Sequence, residues 1–389
     1  MLGLKFISLP PGGGFGNAAC EYIAALGERG VSVRWEPVGI DRGSREDRER
    51  VLKNAPAELQ MMLGDALASR CDYEGVAVHL PLTHGYDSIL ESEKSKRLWL
   101  SVTWELEHLP QHWVAQINRF DSVMVPSQFN ADSFAASGVK VPINVVPHIA
   151  RRVTSQGDVY SHTEISSATA VFYTIGSWTR RKAMEQSIRA YLEAFNSNDD
   201  VVLVVKTDAY DYEQSSASES ASAQRASDVA LAVAKLVARY PSPAKIHLHT
   251  HRMSPSEIDS LHRRGDCFLS LTHSEGWGLG AFDALLFGNP VVMPLWSGQL
   301  DYLGEDYPLA ARHDLMDADL DAGDGVFAAI KNTPWAVADV VHAAQQLRAV
   351  RGNIDAMRNR IEPLQHRIQR DFSAQVVAQK LLRCLEISQ

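Results

Sequence analysis

The chain has 389 residues, 45% hydrophobic and 22% charged, with a formal net charge of −9. That length accommodates two domains with full cores, and the acidic balance argues against a nucleic-acid partner while leaving room for local basic patches. Four dispersed cysteines without a CxxC pair (Cys20, Cys71, Cys267, Cys384) argue against a disulfide framework or structural zinc, and no apolar run reaches the ~18–20 residues of a membrane span.

The N-terminal apolar stretch is too short for a signal peptide and reads as a first strand, Leu4 to Leu9. A cytoplasmic protein, at most peripheral to the inner face of a membrane, is expected. The loop Pro10 to Gly16 contains Gly13, Gly14, Phe15 and Gly16. Asn17 is placed as the N-cap of a helix over Ala18 to Arg29, and Val31 to Trp35 forms the next strand. The loop lacks GxGxxG spacing, so it is either a plain turn or a ligand-facing loop. Asp41 to Arg50, dense in both charges, reads as a solvated helix or loop. A strand over Val76 to Leu80 carries His79, either a cleft residue or a histidine satisfied at a strand end. Strands at Leu98 to Thr103, Ser122 to Val125 and Ile143 to Val146 follow, with a helix over Ala131 to Ser137. Between them lies Trp104-Glu105-Leu106-Glu107-His108-Leu109-Pro110. Its Glu105 and Glu107 are carboxylates able to accept hydrogen bonds.

The polar stretch 151–169 reads as a linker between domain 1–150 and domain 170–371. A strand over Ala170 to Ile175 leads into Gly176-Ser177-Trp178-Thr179-Arg180-Arg181-Lys182 and a helix over Met184 to Phe195. Three cations between a strand end and a helix start make a phosphate site. The buried strand Val201 to Val205 ends at Lys206, a second phosphate candidate. Ser215 to Ser227 is a low-complexity insertion before a helix over Val229 to Tyr240. Lys245 to His251 is a strand with His247, His249 and His251 on one face; lacking an acidic partner, they read as structural, and no metal is assigned. The strand Cys267 to Leu271 then meets His273-Ser274-Glu275-Gly276-Trp277-Gly278-Leu279-Gly280, a helix over Ala281 to Phe287, and a strand from Pro290. Such a glycine loop lies at the carboxyl end of a parallel sheet, where ligands bind. Ser297-Gly298-Gln299-Leu300-Asp301-Tyr302-Leu303 forms a further loop. Asp317, Asp319, Asp321 and Gly323 miss the spacing of a calcium loop. A helix over Trp335 to Arg351 and long C-terminal helices complete the chain, and 372–389 is long enough to cross back to the first domain.

These stretches resemble retaining GT-B glycosyltransferases of family 4, particularly those of bacterial surface polysaccharides. Glu275 and Asp283 occupy the positions of the Glu-x7-Glu motif, with Asp replacing the second Glu. Lys182 falls in the lysine position of the Gly-Arg…Arg-Lys-Gly stretch, and Ser177 replaces the arginine after the glycine. Trp104 to His148 matches the N-terminal domain. The resemblance implies an α/β GT-B fold, two facing Rossmann-like domains with the active site in the cleft. It implies transfer of a sugar, mannose being one candidate, from a nucleoside-diphosphate donor to a glycan or lipid-linked saccharide, without a cofactor or metal. Glu275 and Lys182 would be catalytic. Gly176, Arg180, Arg181, Lys182, Lys206, Thr250, Arg252, Glu275, Gly276, Trp277, Gly278, Leu279 and Asp283 would bind the donor. Gly13, Gly14, Phe15, Gly16, His79, Glu105, Glu107, His108, Ser297 and Gly298 would line the acceptor side or cleft. A sugar-nucleotide epimerase of the same plan and a non-catalytic nucleotide-sugar-binding partner subunit are the alternatives.

Overall fold

The computed structural model describes residues 3–153, 157–162, 165–208, 222–318, 320, 330 and 332–387. The chain divides into two compact units. Unit 1 takes Met1–Arg152, Ser254–Ser256 and Ile368–Gln389; unit 2 takes Val153–Met253 and Glu257–Arg367. Each is an α/β unit on its own parallel six-stranded sheet.

Unit 1 alternates strands and helices: β1 (Gly3–Ser8), α1 (Gly14–Glu28), β2 (Val33–Pro37), α2 (Arg45–Lys53), α3 (Gln60–Ala68), β3 (Tyr73–His79), α4 (Asp87–Ser92), β4 (Arg97–Ser101), α5 (Gln111–Ile117), β5 (Ser122–Val125), α6 (Gln128–Ser137) and β6 (Ile143–Val145). The strand order is β2-β1-β3-β4-β5-β6. Parallel strands need crossover helices on the sheet faces, so inner strands are apolar on both sides. Strands β1 and β5 are accordingly buried along their full lengths. The order reverses between β1 and β3, which brings the loops following these two strands together at the carboxyl edge of the sheet.

The glycine loop is shorter than the sequence suggests. Helix α1 starts at Gly14 with Gly13 as N-cap, and Asn17 lies inside it. Asn17 does not cap the helix: its Oδ1 accepts from the Gly12 N–H at 3.0 Å, folding the preceding turn onto the first helical turn.

Unit 2 begins with β7 (Ala170–Ile175), α7 (Met184–Ala194), β8 (Val201–Lys206), α8 (Ser222–Val237) and β9 (Lys245–His249). After α9 (Pro255–Arg264) come β10 (Cys267–Leu269), α10 (Leu279–Leu286), β11 (Val291–Pro294), α11 (Leu300–Leu303), β12 (Ala310–Ala311), β13 (His313–Asp317), β14 (Pro334–Ala338), α12 (Val340–Gly352) and α13 (Ile354–Asp371). The sheet runs β9-β8-β7-β10-β11-β12, the 3-2-1-4-5-6 order of a Rossmann fold. Helix α14 (Ala374–Cys384) belongs to unit 1, where Val377, Ala378, Leu381 and Leu382 share a core with Tyr22, Ile23 and Leu26 of α1.

Two expectations are corrected in unit 2. Pro334–Ala338 is a strand, paired antiparallel with His313–Asp317, and helix α12 starts only at Val340 behind the Asp339 cap. Trp335, Val337 and the intervening alanines have no side chain that would refuse a pleat, so tertiary pairing decides. Helix α8 begins at Ser222, inside the stretch assigned to an insertion; residues 215–221 lie outside the described residues, as do Asp319, Asp321 and Gly323.

Candidate functional site

The chain builds β7, β8 and β9 to one side and then returns to place β10 on the other side of β7. The loops after β7 and β10 therefore leave the sheet side by side at its switch point, where doubly wound folds bind ligands. The first loop carries Arg180-Arg181-Lys182; the second carries Glu275 and the glycines. They are sewn together through backbone: the His273 N–H donates to the Arg181 carbonyl at 2.8 Å. The Thr272 hydroxyl reaches that same carbonyl, and Arg181 Nη1 returns a 2.6 Å bond to the Ser274 carbonyl.

At the centre lies the Glu275 carboxylate, only 6% exposed. Lys182 Nζ donates to Oε1 at 2.6 Å and Oε2 at 2.8 Å, and Arg181 Nη1 lies 3.2 Å from Oε2. Burial pushes the acid's pKa up, but the charges of Lys182 and Arg181 outweigh it and hold the carboxyl below its ordinary value. Two cations meet one anion, so the cluster keeps a net positive charge in a poorly hydrated setting.

Helix α10 adds to that field. Its N-cap is Gly278, in the left-handed region at φ +88°, which brings no side chain, and its first turn holds no acid. Its positive end is left for an external anion. A cavity of about 30 Å3 lies here, lined by Thr174, Gly176, Lys182, Ser270, Glu275 and Gly280 among others. Lys182 and Glu275 both line it, so the ion pair borders the space in front of the helix end. Backbone strain is concentrated here too: Ala183, before α7, has φ +48°, and Ser297 has φ +66°. Non-glycine residues hold such angles only where their surroundings enforce them.

Residues 219–381 match the family described as Family 4 Glycosyltransferase in conflict systems. Among curated proteins no sequence match reaches significance. The sucrose-phosphate synthase of Thermosynechococcus elongatus superposes with a TM-score of 0.65 at 13% identity, over 99% of this chain and 98% of its own. HepE of Anabaena, in complex with UDP and glucose, gives 0.61 at 12%, over 99% and 100%. An E. coli protein titled trehalose-6-phosphate, bound with UDP-2-fluoro glucose, gives 0.64 at 11%, over 99% of each chain. The chain has the GT-B fold of these glycosyltransferases, and the family 4 match falls within its residues 219–381. At these identities the likeness to the three structures is one of fold.

Within unit 2, Gly176, Lys182, Glu275, Gly278 and Leu279 share the walls of one cavity, and Arg181 joins through Glu275. Arg180, half-buried, precedes Arg181, and Asp283 is a half-buried residue of α10. The Trp277 ring is buried, 5.2 Å from both Phe282 and Tyr302, so it props the loop from beneath. Gly276 is the residue against which Gly298 packs. Lys206 Nζ donates to the Thr207 carbonyl at 3.0 Å, and burial lowers its pKa. Thr250 and Arg252 follow β9 on a half-buried to exposed turn. The histidine ladder is engaged with protein groups: His249 Nε2 meets the Tyr160 hydroxyl at 2.6 Å, and His247 packs on His162. Among the described residues, no group of three His, Cys, Asp or Glu side chains could hold a metal ion.

In unit 1, Phe15 of the glycine turn packs 5.2 Å from His79. Gly13 caps α1, and Gly14 and Gly16 lie in its first turn. His79 is buried; its Nδ1 meets the Ser101 hydroxyl at 2.8 Å and its Nε2 has no hydrogen-bond partner. The Trp104–Pro110 segment is held by Asn130, which accepts from the Trp104 N–H and donates to its carbonyl. Glu105 and Glu107 are half-buried and His108 is exposed.

The sequence reading passed over His273, Thr272 and Tyr302. The His273 ring stacks on Trp335 at 4.2 Å and its Nδ1 meets the Ala336 carbonyl at 2.6 Å, tying the antiparallel hairpin to the acid loop. A helix expected from Trp335 onward hides that contact, because Trp335 lies instead on the strand Pro334–Ala338.

Proposed function

We propose that the protein moves a hexose from a nucleoside-diphosphate sugar to a glycan or lipid-linked saccharide, with retention at the anomeric carbon. The observation that carries this reading is the Arg181–Lys182–Glu275 cluster beside the N-terminus of α10. As the bond from the anomeric carbon to the diphosphate breaks, negative charge develops on the leaving oxygens. Lys182, Arg181 and the free N–H groups of α10 would stabilise it by preorganised electrostatics. Glu275, released by Lys182, would orient the sugar and its cationic anomeric centre. The acceptor oxygen forms the new bond on the face the diphosphate leaves, and its proton passes to a diphosphate oxygen. Asp283 would hold the ribose, and Thr250 and Arg252 the base. Unit 1 would supply the acceptor contacts through His79, Glu105, Glu107 and His108. UDP-sugars are the first donors to test, because HepE and the E. coli structure hold UDP groups; GDP-mannose is the second. Incubation with each donor and a saccharide acceptor, with the product's anomeric configuration read by NMR, tests the proposal. An inverted product would refute retention, and unreacted donor would refute the transfer.

A further inference from the structure

The acid loop is gripped from the side away from its cations. The Glu275 N–H donates to Ser297 Oγ at 2.9 Å, and the Gly298 N–H donates to the Glu275 carbonyl at 2.8 Å. Three residues on, the Tyr302 hydroxyl donates to the Gly278 carbonyl at 3.3 Å. Ser297, Gly298 and Tyr302 are all buried. The Ser297 hydroxyl is anchored in turn: it donates to the Trp296 carbonyl at 2.6 Å with Gln299 Oε1 3.1 Å away, and Gln299 Nε2 holds the Pro294 carbonyl at the end of β11.

Ser297 sits at φ +66°, where glycine is at ease and a serine is strained. A glycine would satisfy the backbone, so the hydroxyl is what the strain retains. Beyond its bond to the adjacent Trp296 carbonyl, that hydroxyl accepts the amide of Glu275, the contact that reaches the acid loop. We propose that Ser297 is a positioning residue for Glu275, fixing the acid's main chain so that its carboxylate meets the reacting sugar. This inference rests on the role proposed above for Glu275.

Ser297→Gly separates positioning from bulk structure, because it removes the hydroxyl while relieving the strained φ. The expected result is a melting temperature close to wild type, the relieved φ offsetting the lost hydrogen bond, nucleoside-diphosphate affinity within about twofold, and donor turnover lowered about ten- to a hundredfold, as small misplacements of a reacting group cost. In the Glu275→Gln background the same change should have no further effect on turnover, because the serine acts through the acid. Wild-type turnover in Ser297→Gly would overturn the proposal. So would a loss of turnover matched by loss of nucleotide affinity and melting temperature, or full additivity in the double variant. Absence of nucleotide binding and turnover in the wild-type protein itself would instead overturn the donor-site reading, and this inference with it.

Discussion

Lys182 Nζ lies 2.6 Å and 2.8 Å from the two carboxylate oxygens of Glu275, although 93 positions separate the residues. The pair lines the cavity at the N-terminus of α10; in the function proposed above, donor binding would exchange one anion for another at the lysine. Substitution at either end should therefore give opposite effects on nucleotide affinity.

Lys182→Ala removes a charge-assisted contact and should weaken nucleoside-diphosphate binding by roughly 1.5–3 kcal/mol, read by calorimetry. Affinity equal to wild type would remove Lys182 from the phosphate site.

Glu275→Gln frees Lys182 from its counter-ion. Nucleoside-diphosphate affinity should hold or rise while sugar transfer falls by about a hundredfold or more. At 6% exposure the acid also contributes to stability. Removing it leaves Arg181 and Lys182 without their anion, at a cost of about 1–3 kcal/mol, moderated because Lys182 can turn to solvent. An unchanged urea midpoint together with unchanged transfer would contradict both roles. The ion pair also sets an acid limit. A carboxyl with a lowered folded pKa contributes stability that is complete above its unfolded value and is lost as the pH falls through the folded one.

Gly298→Ala should be more damaging than its size suggests. An added Cβ would stand 2.0 Å from the Gly276 carbonyl oxygen, a backbone atom that cannot turn aside. The loop must shift, so transfer should be lost and the melting temperature should fall, as overpacking costs of about 1–3 kcal/mol imply. A variant with wild-type melting and transfer would show that the two loops do not pack this way.

Unit 1 should lose stability in mild acid. Burial lowers the pKa of His79 to about 4 and that of His148 to about 3, and His148 also feels the His79 ring. Unfolded, both take a proton near pH 6.5. As pH falls from 6.5 toward 4 the unfolded chain binds protons that the folded unit refuses, so stability falls with pH across that window. His79 alone accounts for at most about 3 kcal/mol at 1.36 kcal/mol per pKa unit. Urea midpoints between pH 7 and 4.5 should fall steeply in wild type and less steeply in His79→Asn. Equal slopes would place the sensitivity elsewhere.

Much of the candidate site is legible in the sequence because it is local. Strand β7 matches the expected Ala170 to Ile175, and the basic turn and glycine loop are each contiguous. Apolar runs without alternation mark strands buried on both faces. What the sequence hides is long-range. That Lys182 would spend itself on Glu275, that Ser297 would receive the Glu275 amide, and that Trp335 would stack on His273 all depend on packing between distant loops. The strand at Pro334–Ala338 is hidden for the same reason: its partner, His313–Asp317, lies across residues 318–333, a connection far longer than a two- to five-residue hairpin loop.

The most direct measurement is calorimetric titration of UDP, GDP, ADP and dTDP into the wild-type protein and into Lys182→Ala. The account predicts that one nucleotide binds clearly better than the others to the wild type and at least about tenfold more weakly to the variant. Binding of none, or equal binding by both proteins, would contradict a donor site built on Lys182 and Glu275.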